Sequence, residues 1–103
     1  MDIQYSENQG RKSLLVKVSG DCDMYNAQDF FNGVTEKICL GYPNVCLDFS
    51  GVIYLDSSGV GAIIKILRLS REKSVNLKFR GITGTPRKVL RMSNILSLIV
   101  EET

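Results

Sequence analysis

The first fifth of the chain alternates between apolar and polar residues. This period of two is found over residues 3–7 and again at the end of residues 13–19, a segment that also contains β-branched valines, and it is typical of strands with one buried face. A polar turn at residues 8–11 lies between the two segments, so together they predict a β-hairpin. Residues 20–23 interrupt the alternation and predict the end of the second strand.

Beyond the hairpin, helical and strand patterns alternate along the chain. Apolar residues recur at intervals of four over residues 27–40, which predicts a helix with Asn26 as its cap. A nearly continuous apolar run at residues 45–49 predicts a buried central strand, and clean alternation at residues 75–79 predicts a further parallel strand. Helical spacing between them predicts a second helix over residues 57–71.

The C-terminal quarter begins with a loop at residues 81–84. Thr85 followed by Pro86 predicts a short third helix, with the threonine as cap and the proline at the first helical position. Three of its side chains are predicted to face inward: Val89, Leu90 and Met92. Asn94 is expected to end this helix, because asparagine tolerates the left-handed conformation. Residues 95–100 fit either a short strand or a helix.

This order of elements predicts an α/β fold. Parallel strands need crossover connections, and a helix in each crossover packs on the sheet. The chain has 103 residues, which suits one small domain. We therefore expect a single domain over residues 1–103, with a mixed, mostly parallel sheet of four or five strands and three or four helices packed on it.

Composition excludes several kinds of chemistry. There is no histidine, so Ser-His-Asp catalysis, Cys-His catalysis and histidine metal sites are excluded. The glycines at residues 59–61 and 81–84 lack the Gly-Lys-Ser/Thr ending of a P-loop. Four aspartates could be imagined as a cation site: Asp21, Asp23, Asp48 and Asp56. These aspartates are explained better if Asp56 caps or orients the helix start and the other three are turn residues at strand ends. We therefore expect no enzymatic activity, no bound metal and no cofactor.

Charge and cysteine usage are those of an ordinary cytosolic protein. The formal net charge of +2 is too weak to argue for a nucleic-acid partner. Cys22, Cys39 and Cys46 have no CxxC spacing, which favours free thiols in a reducing compartment. No apolar stretch approaches the roughly 20 residues of a membrane span, and no signal-peptide pattern is visible. We expect a cytoplasmic protein that contacts neither membranes nor nucleic acid.

Candidate functional residues gather where the central strand gives way to the second helix. Asp56, Ser57 and Ser58 can each cap that helix, because their side-chain oxygens accept from free backbone N–H groups. Gly59 and Gly61 leave the backbone beside them uncovered. A helix N-terminus is electropositive and favours a phosphate group. Simple capping by the serines and close helix–strand packing at the glycines are the competing interpretations.

The motifs of this region resemble the signature of the STAS-domain anti-sigma factor antagonists: Asp48-Phe-Ser50, then Val52, then Asp56-Ser-Ser-Gly-Val-Gly61. Residues 20–23 and 91–96 also match family positions, although Asn94 stands where the family usually has glycine. The resemblance covers nearly the whole chain. It implies the STAS fold, which has the same order of elements.

The resemblance also implies a phosphorylation switch. In that family the serine directly after the motif aspartate is phosphorylated, which implies Ser57 as the phosphosite, with Ser58 as a secondary candidate. The unmodified protein would dock on an anti-sigma factor that is also a serine kinase, with its own ATP and Mg²⁺, and so release a sigma factor. A serine phosphatase would reverse the modification. The implied partner-binding residues are Asp23, Asp56, Ser57, Ser58, Gly59, Val60 and Gly61.

Two other classes of function stay open. STAS domains also occur as non-enzymatic scaffold subunits of larger signalling or transport assemblies, where phosphorylation can be absent. A small-ligand or nucleotide-binding domain is the third possibility, although no phosphate-cradling motif supports it. An intact Asp-Ser-Ser-Gly sequence in a chain of this length favours the switch.

Overall fold

The structure, a computed structural model, describes residues 1–8 and 12–102. Within those residues it has four strands, three α-helices and one 3₁₀ turn: β1 (Asp2–Asn8), β2 (Ser13–Cys22), α1 (Ala27–Cys39), β3 (Asn44–Leu55), α2 (Ser57–Glu72), β4 (Asn76–Arg80), α3 (Gly84–Met92) and the turn Leu96–Leu98. The sheet order is β1-β2-β3-β4, with β1 antiparallel to β2 and the other neighbours parallel. The predicted mixed, mostly parallel sheet is confirmed. Most of the predicted 8–11 turn lies outside the described residues.

The helices pack on one face of the sheet, and the opposite face is largely polar. Alternate residues of the strands are buried with the helices in one core, among them Val16, Leu47 and Leu77. Phe49 of β3 lies at its centre, with its ring centroid 5.9 Å from that of Phe30 and 5.4 Å from that of Phe79, both edge to face. These aromatic contacts fix β3 in the core, and α2 starts one residue after its end.

Strands β2 and β3 are longer than predicted. The expectation that β2 ends before residues 20–23 is wrong, because the strand absorbs the irregular residues as two register shifts against β3 and continues to Cys22. Gly20 lies at one shift with a φ of 90°, which glycine adopts without steric strain. β3 runs on to Leu55, so Asp48 lies inside a strand and the expectation that it is a turn residue is wrong.

Helices α1 and α2 are confirmed, and their predicted bounds are off by a residue at their C-terminal ends. Asn26 occupies the cap position of α1, but its side chain does not accept a capping hydrogen bond. It donates instead, at 3.0 Å to the carbonyl of Asp21 and at 3.1 Å to the carboxylate of Asp23. The Asn26 side chain therefore stabilises the loop before α1.

Helix α3 begins earlier than predicted. Its N-cap residue is Thr83, so the assignment of Thr85 as cap is wrong. Leu90 is buried and Val89 half-buried, but Met92 is 73% exposed, because two residues along a helix place it on the opposite side from Leu90. Asn94 ends the helix with a φ of 61°, as predicted.

The undecided C-terminal segment contains both kinds of structure. A 3₁₀ turn at Leu96–Leu98 is followed by a parallel bridge between Glu101 and Phe79 of β4. The bridge is made by Phe79 N–H donating to the Val100 carbonyl at 2.9 Å and Glu102 N–H donating to the Phe79 carbonyl at 2.7 Å. Bidentate hydrogen bonds from Arg87 to Glu101, at 2.7 and 3.2 Å, hold this segment to α3.

Candidate functional site at the start of α2

Asp56 is the single residue between the end of β3 and the first residue of α2. Its backbone is extended, and its Oδ1 accepts hydrogen bonds from the N–H groups of Ser58 at 2.9 Å and Gly59 at 3.3 Å. Two of the free donors at the helix start are thereby satisfied. Asp56 is the cap, as one of the sequence interpretations held, and the competing idea that a serine caps the helix is wrong. Ser57 is exposed and Ser58 half-buried.

The cap assignment predicts a measurable loss of stability. Asp56→Ala should lower the free energy of unfolding by about 1 kcal/mol, because two N–H groups lose their acceptor. Asp56→Asn keeps an acceptor oxygen in the same place and should lose less. Urea unfolding of both variants against wild type measures the difference. An alanine variant as stable as wild type would show that Asp56 does not cap α2.

The two glycines of the motif have opposite surroundings although they are two residues apart on α2. Gly59 is buried, and a Cβ there would overlap Leu55 Cδ1 and lie 2.6 Å from the backbone carbonyl oxygen of Cys22. The packing interpretation therefore holds for Gly59. Among residues 1–8 and 12–102, no atom that could obstruct it lies within 4 Å of a Cβ built at Gly61, so packing against these residues does not account for the glycine.

Tertiary structure brings Asp23 and Asp56 together around the end of β2. The Asp56 N–H donates to the Cys22 carbonyl at 3.3 Å, which joins the end of β2 to the start of α2. Asp23 Oδ1 accepts from the Tyr25 N–H at 3.0 Å and from the Asn26 side chain at 3.1 Å. Burial, and then the nearby charges of Asp56 and Asp23, raise the pKa of the Cys22 thiol to about 11. Cys22 is thus a neutral packing residue beneath two carboxylates.

The predicted partner-binding residues divide by exposure. Ser57 is exposed, and four others are half-buried: Asp23, Asp56, Ser58 and Gly61. Gly59 and Val60 are buried, so neither presents a side-chain surface to solvent.

Sequence reasoning missed four large exposed side chains around this site. Met24 and Tyr25, in the loop after Asp23, are 69% and 82% exposed, and Ile53 and Tyr54, just before Asp56, are 72% and 46% exposed. The sequence signal that could have identified them is the position of large apolar residues next to polar turn residues. Exposed apolar and aromatic groups of this kind are typical of protein-binding surfaces.

Asp48, part of the motif, has a structural role away from Ser57. Its Oδ2 lies 3.2 Å from Nε of Arg80, the residue opposite it on β4, and its Oδ1 accepts from the Ser50 N–H at 2.9 Å. Burial alone would raise the pKa of Asp48, but the hydrogen bonds from Ser50 and Arg80 outweigh it and lower the pKa overall. The carboxylate therefore stays ionised while buried, and it fastens β3 to β4.

This ion pair predicts an acid-dependent part of stability. The folded pKa of Asp48 is below its unfolded value, so its contribution is complete above about pH 4 and is lost as the pH falls through the lower folded pKa. Asp48→Asn should therefore be less stable than wild type at neutral pH and should lose less stability on acidification. Urea unfolding at a series of pH values measures both slopes, and equal slopes would show that Asp48 does not carry this dependence.

A separate depression of about 560 Å³ lies on the polar face of the sheet. It is lined by residues at the first ends of the parallel strands, including Ser13, Asn44 and Asn76, whereas Ser57 follows the opposite end of β3. Burial, and then a hydrogen bond with Glu102, raise the pKa of the Cys46 thiol at this depression to about 12. The depression is therefore not part of the site at the start of α2.

Comparison with known proteins gives the class of this chain. The STAS domain family model matches residues 2–103, so the chain belongs to the STAS domain family. Among the described residues, none of the helices is both long enough and apolar enough to span a membrane.

Solved structures share this fold at low sequence identity. The anti-sigma factor antagonist SpoIIAA in its unphosphorylated form is 20% identical, with a TM-score of 0.79 over 99% of this chain and 89% of that one. Bacillus SpoIIAA in the phosphorylated form is also 20% identical, with a TM-score of 0.72 over 99% and 92% of the two chains. A variant of RsbS from Moorella thermoacetica is 14% identical, with a TM-score of 0.82 over 99% and 86%.

Proposed function

We propose that this protein is an anti-sigma factor antagonist controlled by phosphorylation of Ser57. Its unphosphorylated form binds an anti-sigma factor that is also a serine kinase, and this binding releases a sigma factor. The observation that carries the proposal is the exposed Ser57 hydroxyl at the first position of α2, which has no capping role because Asp56 caps the helix. SpoIIAA, a protein of the same fold, has been solved in unphosphorylated and phosphorylated forms.

Electrostatics explain how a phosphate changes binding without unfolding the chain. Phosphorylation adds a charge of about −1.5 to −2 near neutral pH. The N-terminus of α2 attracts that charge, an effect worth about 0.3–1 kcal/mol, and the adjacent Asp56 carboxylate repels it. In the free protein water screens both effects, so the fold survives. In a docked complex the dianion is desolvated beside Asp56, and the complex is lost.

The proposed contact surface consists of exposed Ser57 with four half-buried neighbours: Asp23, Asp56, Ser58 and Gly61. Met24 and Tyr25 extend it with exposed apolar area, and large side chains of this kind commonly anchor interfaces. Gly59 supports the surface from beneath by letting α2 pack closely against the end of β2, and the next residue, Val60, is buried.

Other components of the switch belong to the partners. The kinase brings its own ATP and Mg²⁺, so this chain needs no cofactor and performs no catalysis itself. A serine phosphatase removes the phosphate and restores binding. The chain acts in the cytoplasm, where sigma factors meet RNA polymerase, and contacts neither membranes nor nucleic acid.

A phosphorylation assay tests the proposal. Candidate anti-sigma kinases encoded in the same genome are purified and incubated with this protein and Mg-ATP, and the product is examined by intact mass and peptide mapping. We expect one added phosphate on wild type and on the control Ser58→Ala, and none on Ser57→Ala. Labelling of Ser57→Ala as strong as that of wild type would disprove the assignment. If no kinase binds or labels wild type and the chain elutes within a large assembly, a scaffold role replaces the switch.

A further inference from the structure

A groove of about 340 Å³ lies between the N-terminal halves of α1 and α2, next to the contact surface. Its lining includes Met24 and Phe31 on the side of α1 and Ser58, Gly61 and Ala62 on the side of α2. Ala62 is buried, Phe31 is half-buried and Met24 is exposed, and these apolar side chains share the lining with Gln28, Ser58 and Lys65. The groove therefore combines an apolar part with polar groups, and it opens to solvent.

Gly61 lines the groove, and nothing among the described residues requires a glycine there. A Cβ at this position meets no obstructing atom of the described part of the chain within 4 Å, and Gly61 is not among the glycines with positive φ. Glycine inside a helix is less stable than alanine, because it loses more conformational freedom on folding. A residue that lowers helix stability without a packing or backbone reason indicates a functional requirement for open space.

Charge differs between the two ends of the groove. Lys65 lies at the end away from Ser57, with its Nζ 5.5 Å from the centroid of the Phe31 ring. Ser58 lines the other end, and its backbone N–H donates to the Asp56 carboxylate, which is therefore close to that end without lining the groove. A group that fits this surface is therefore apolar in the middle and negative towards Lys65, since a negative group near Asp56 would be repelled.

We propose that this groove receives an aliphatic side chain of the anti-sigma partner, carried next to a carboxylate that pairs with Lys65. The inference rests on the proposed function and adds to it a docking pocket separate from the phosphosite. Met24 adapts its shape to the bound side chain, as flexible methionines do at binding surfaces. Because Ser58 lies at the rim of the groove, a partner anchored there covers the adjacent Ser57.

Filling the groove should abolish docking while leaving the fold intact. Gly61→Leu places a branched side chain in the open space and should weaken binding of the kinase identified above by about 30-fold or more, as the loss of an interface anchor does. Arg68→Leu, which adds the same side chain at an exposed residue of α2 outside the groove lining, is the matched control and should bind within about threefold of wild type. Isothermal titration calorimetry measures the affinities, and thermal unfolding checks that both variants are folded. A leucine variant that binds as tightly as wild type would overturn the proposal.

Charge reversal tests the predicted carboxylate. Lys65→Glu should weaken binding about tenfold, whereas Arg68→Glu, an equal reversal at an exposed residue of α2 outside the groove lining, should leave it nearly unchanged. Equal effects of the two reversals would show that Lys65 has no specific partner.

A second measurement needs no kinase. The peptide N-acetyl-leucyl-glutamate is titrated into ¹⁵N-labelled wild type and Gly61→Leu, and amide shifts are recorded. We expect saturable shifts centred on Phe31, Gly61 and Ala62 in wild type and none in the variant. Shifts elsewhere, no shifts, or a change of oligomeric state in Gly61→Leu that reveals a second copy in the groove would each overturn the proposal. If no kinase binds wild type, the proposed function fails, but this titration still shows whether the groove binds the peptide.

Discussion

Ser57→Asp is expected to weaken binding of the anti-sigma partner by about a hundredfold, whereas Ser57→Ala should bind as tightly as wild type. A hundredfold loss corresponds to about 2.7 kcal/mol. Two effects supply it: the new carboxylate lies beside Asp56, so like charges are brought together, and both are desolvated when the partner covers them. The alanine variant lacks the hydroxyl but keeps the Asp56 cap and the shape of the surface.

Calorimetric titration with the identified kinase, in the absence of ATP, measures both affinities. Thermal unfolding should show Ser57→Asp melting close to wild type, because an acidic residue in the first turn of a helix is favourable. Thr85→Asp is the matched control, since it adds the same charge at an exposed hydroxyl in the first turn of α3 and should leave binding unchanged. Binding of Ser57→Asp at the wild-type level is incompatible with the proposed switch.

The same substitution at the two glycines of α2 should change stability in opposite directions. Gly59→Ala should lower the free energy of unfolding by about 1–3 kcal/mol, because its methyl overlaps Leu55 and meets the backbone oxygen of Cys22, so α2 must move away from β2. Gly61→Ala should raise it by about 0.5–1 kcal/mol, because the methyl enters open space and alanine has the higher helix propensity.

Thermal unfolding measures this pair, since 1 kcal/mol shifts the melting temperature of a domain of this size by about 4–8 °C. The two variants share the residue type and the helix, so differences in helix propensity cancel and the comparison isolates tertiary packing. Two variants that both melt above wild type would contradict the close approach at Gly59. Two that both melt below it would contradict the open space at Gly61, and with it the groove.

Hydrophobic periodicity was enough to predict most of the elements. The apolar stripe of α1 and the apolar run of β3 are local patterns in the sequence. They predict these elements because residues of both patterns are buried in the core. The ends of the strands were less predictable, because hydrogen bonding to the neighbouring strand decides where a strand ends. β2 and β3 extend each other to Cys22 and Leu55, because each supplies hydrogen-bond partners for residues that would end an isolated strand.

The candidate site shows the same division. A hydroxyl next to an aspartate at a helix start can be found in the sequence, and the family resemblance selects Ser57. The Asp48–Arg80 ion pair could not be found, because its residues are 32 positions apart and meet only through the register of β3 against β4.

By itself, the sequence determined the order of elements, the start of α2 near Ser57 and the three side chains able to cap it, because spacing and side-chain type along a short segment are sufficient for these. The structure selected Asp56 as the cap. Only the tertiary structure decided that Asp23 lies near Asp56, that Gly59 is enclosed, and that Gly61 borders an open groove. Each of those facts depends on which strand or helix lies opposite. Contacts across the sheet and between helices decide that, and no local pattern records them.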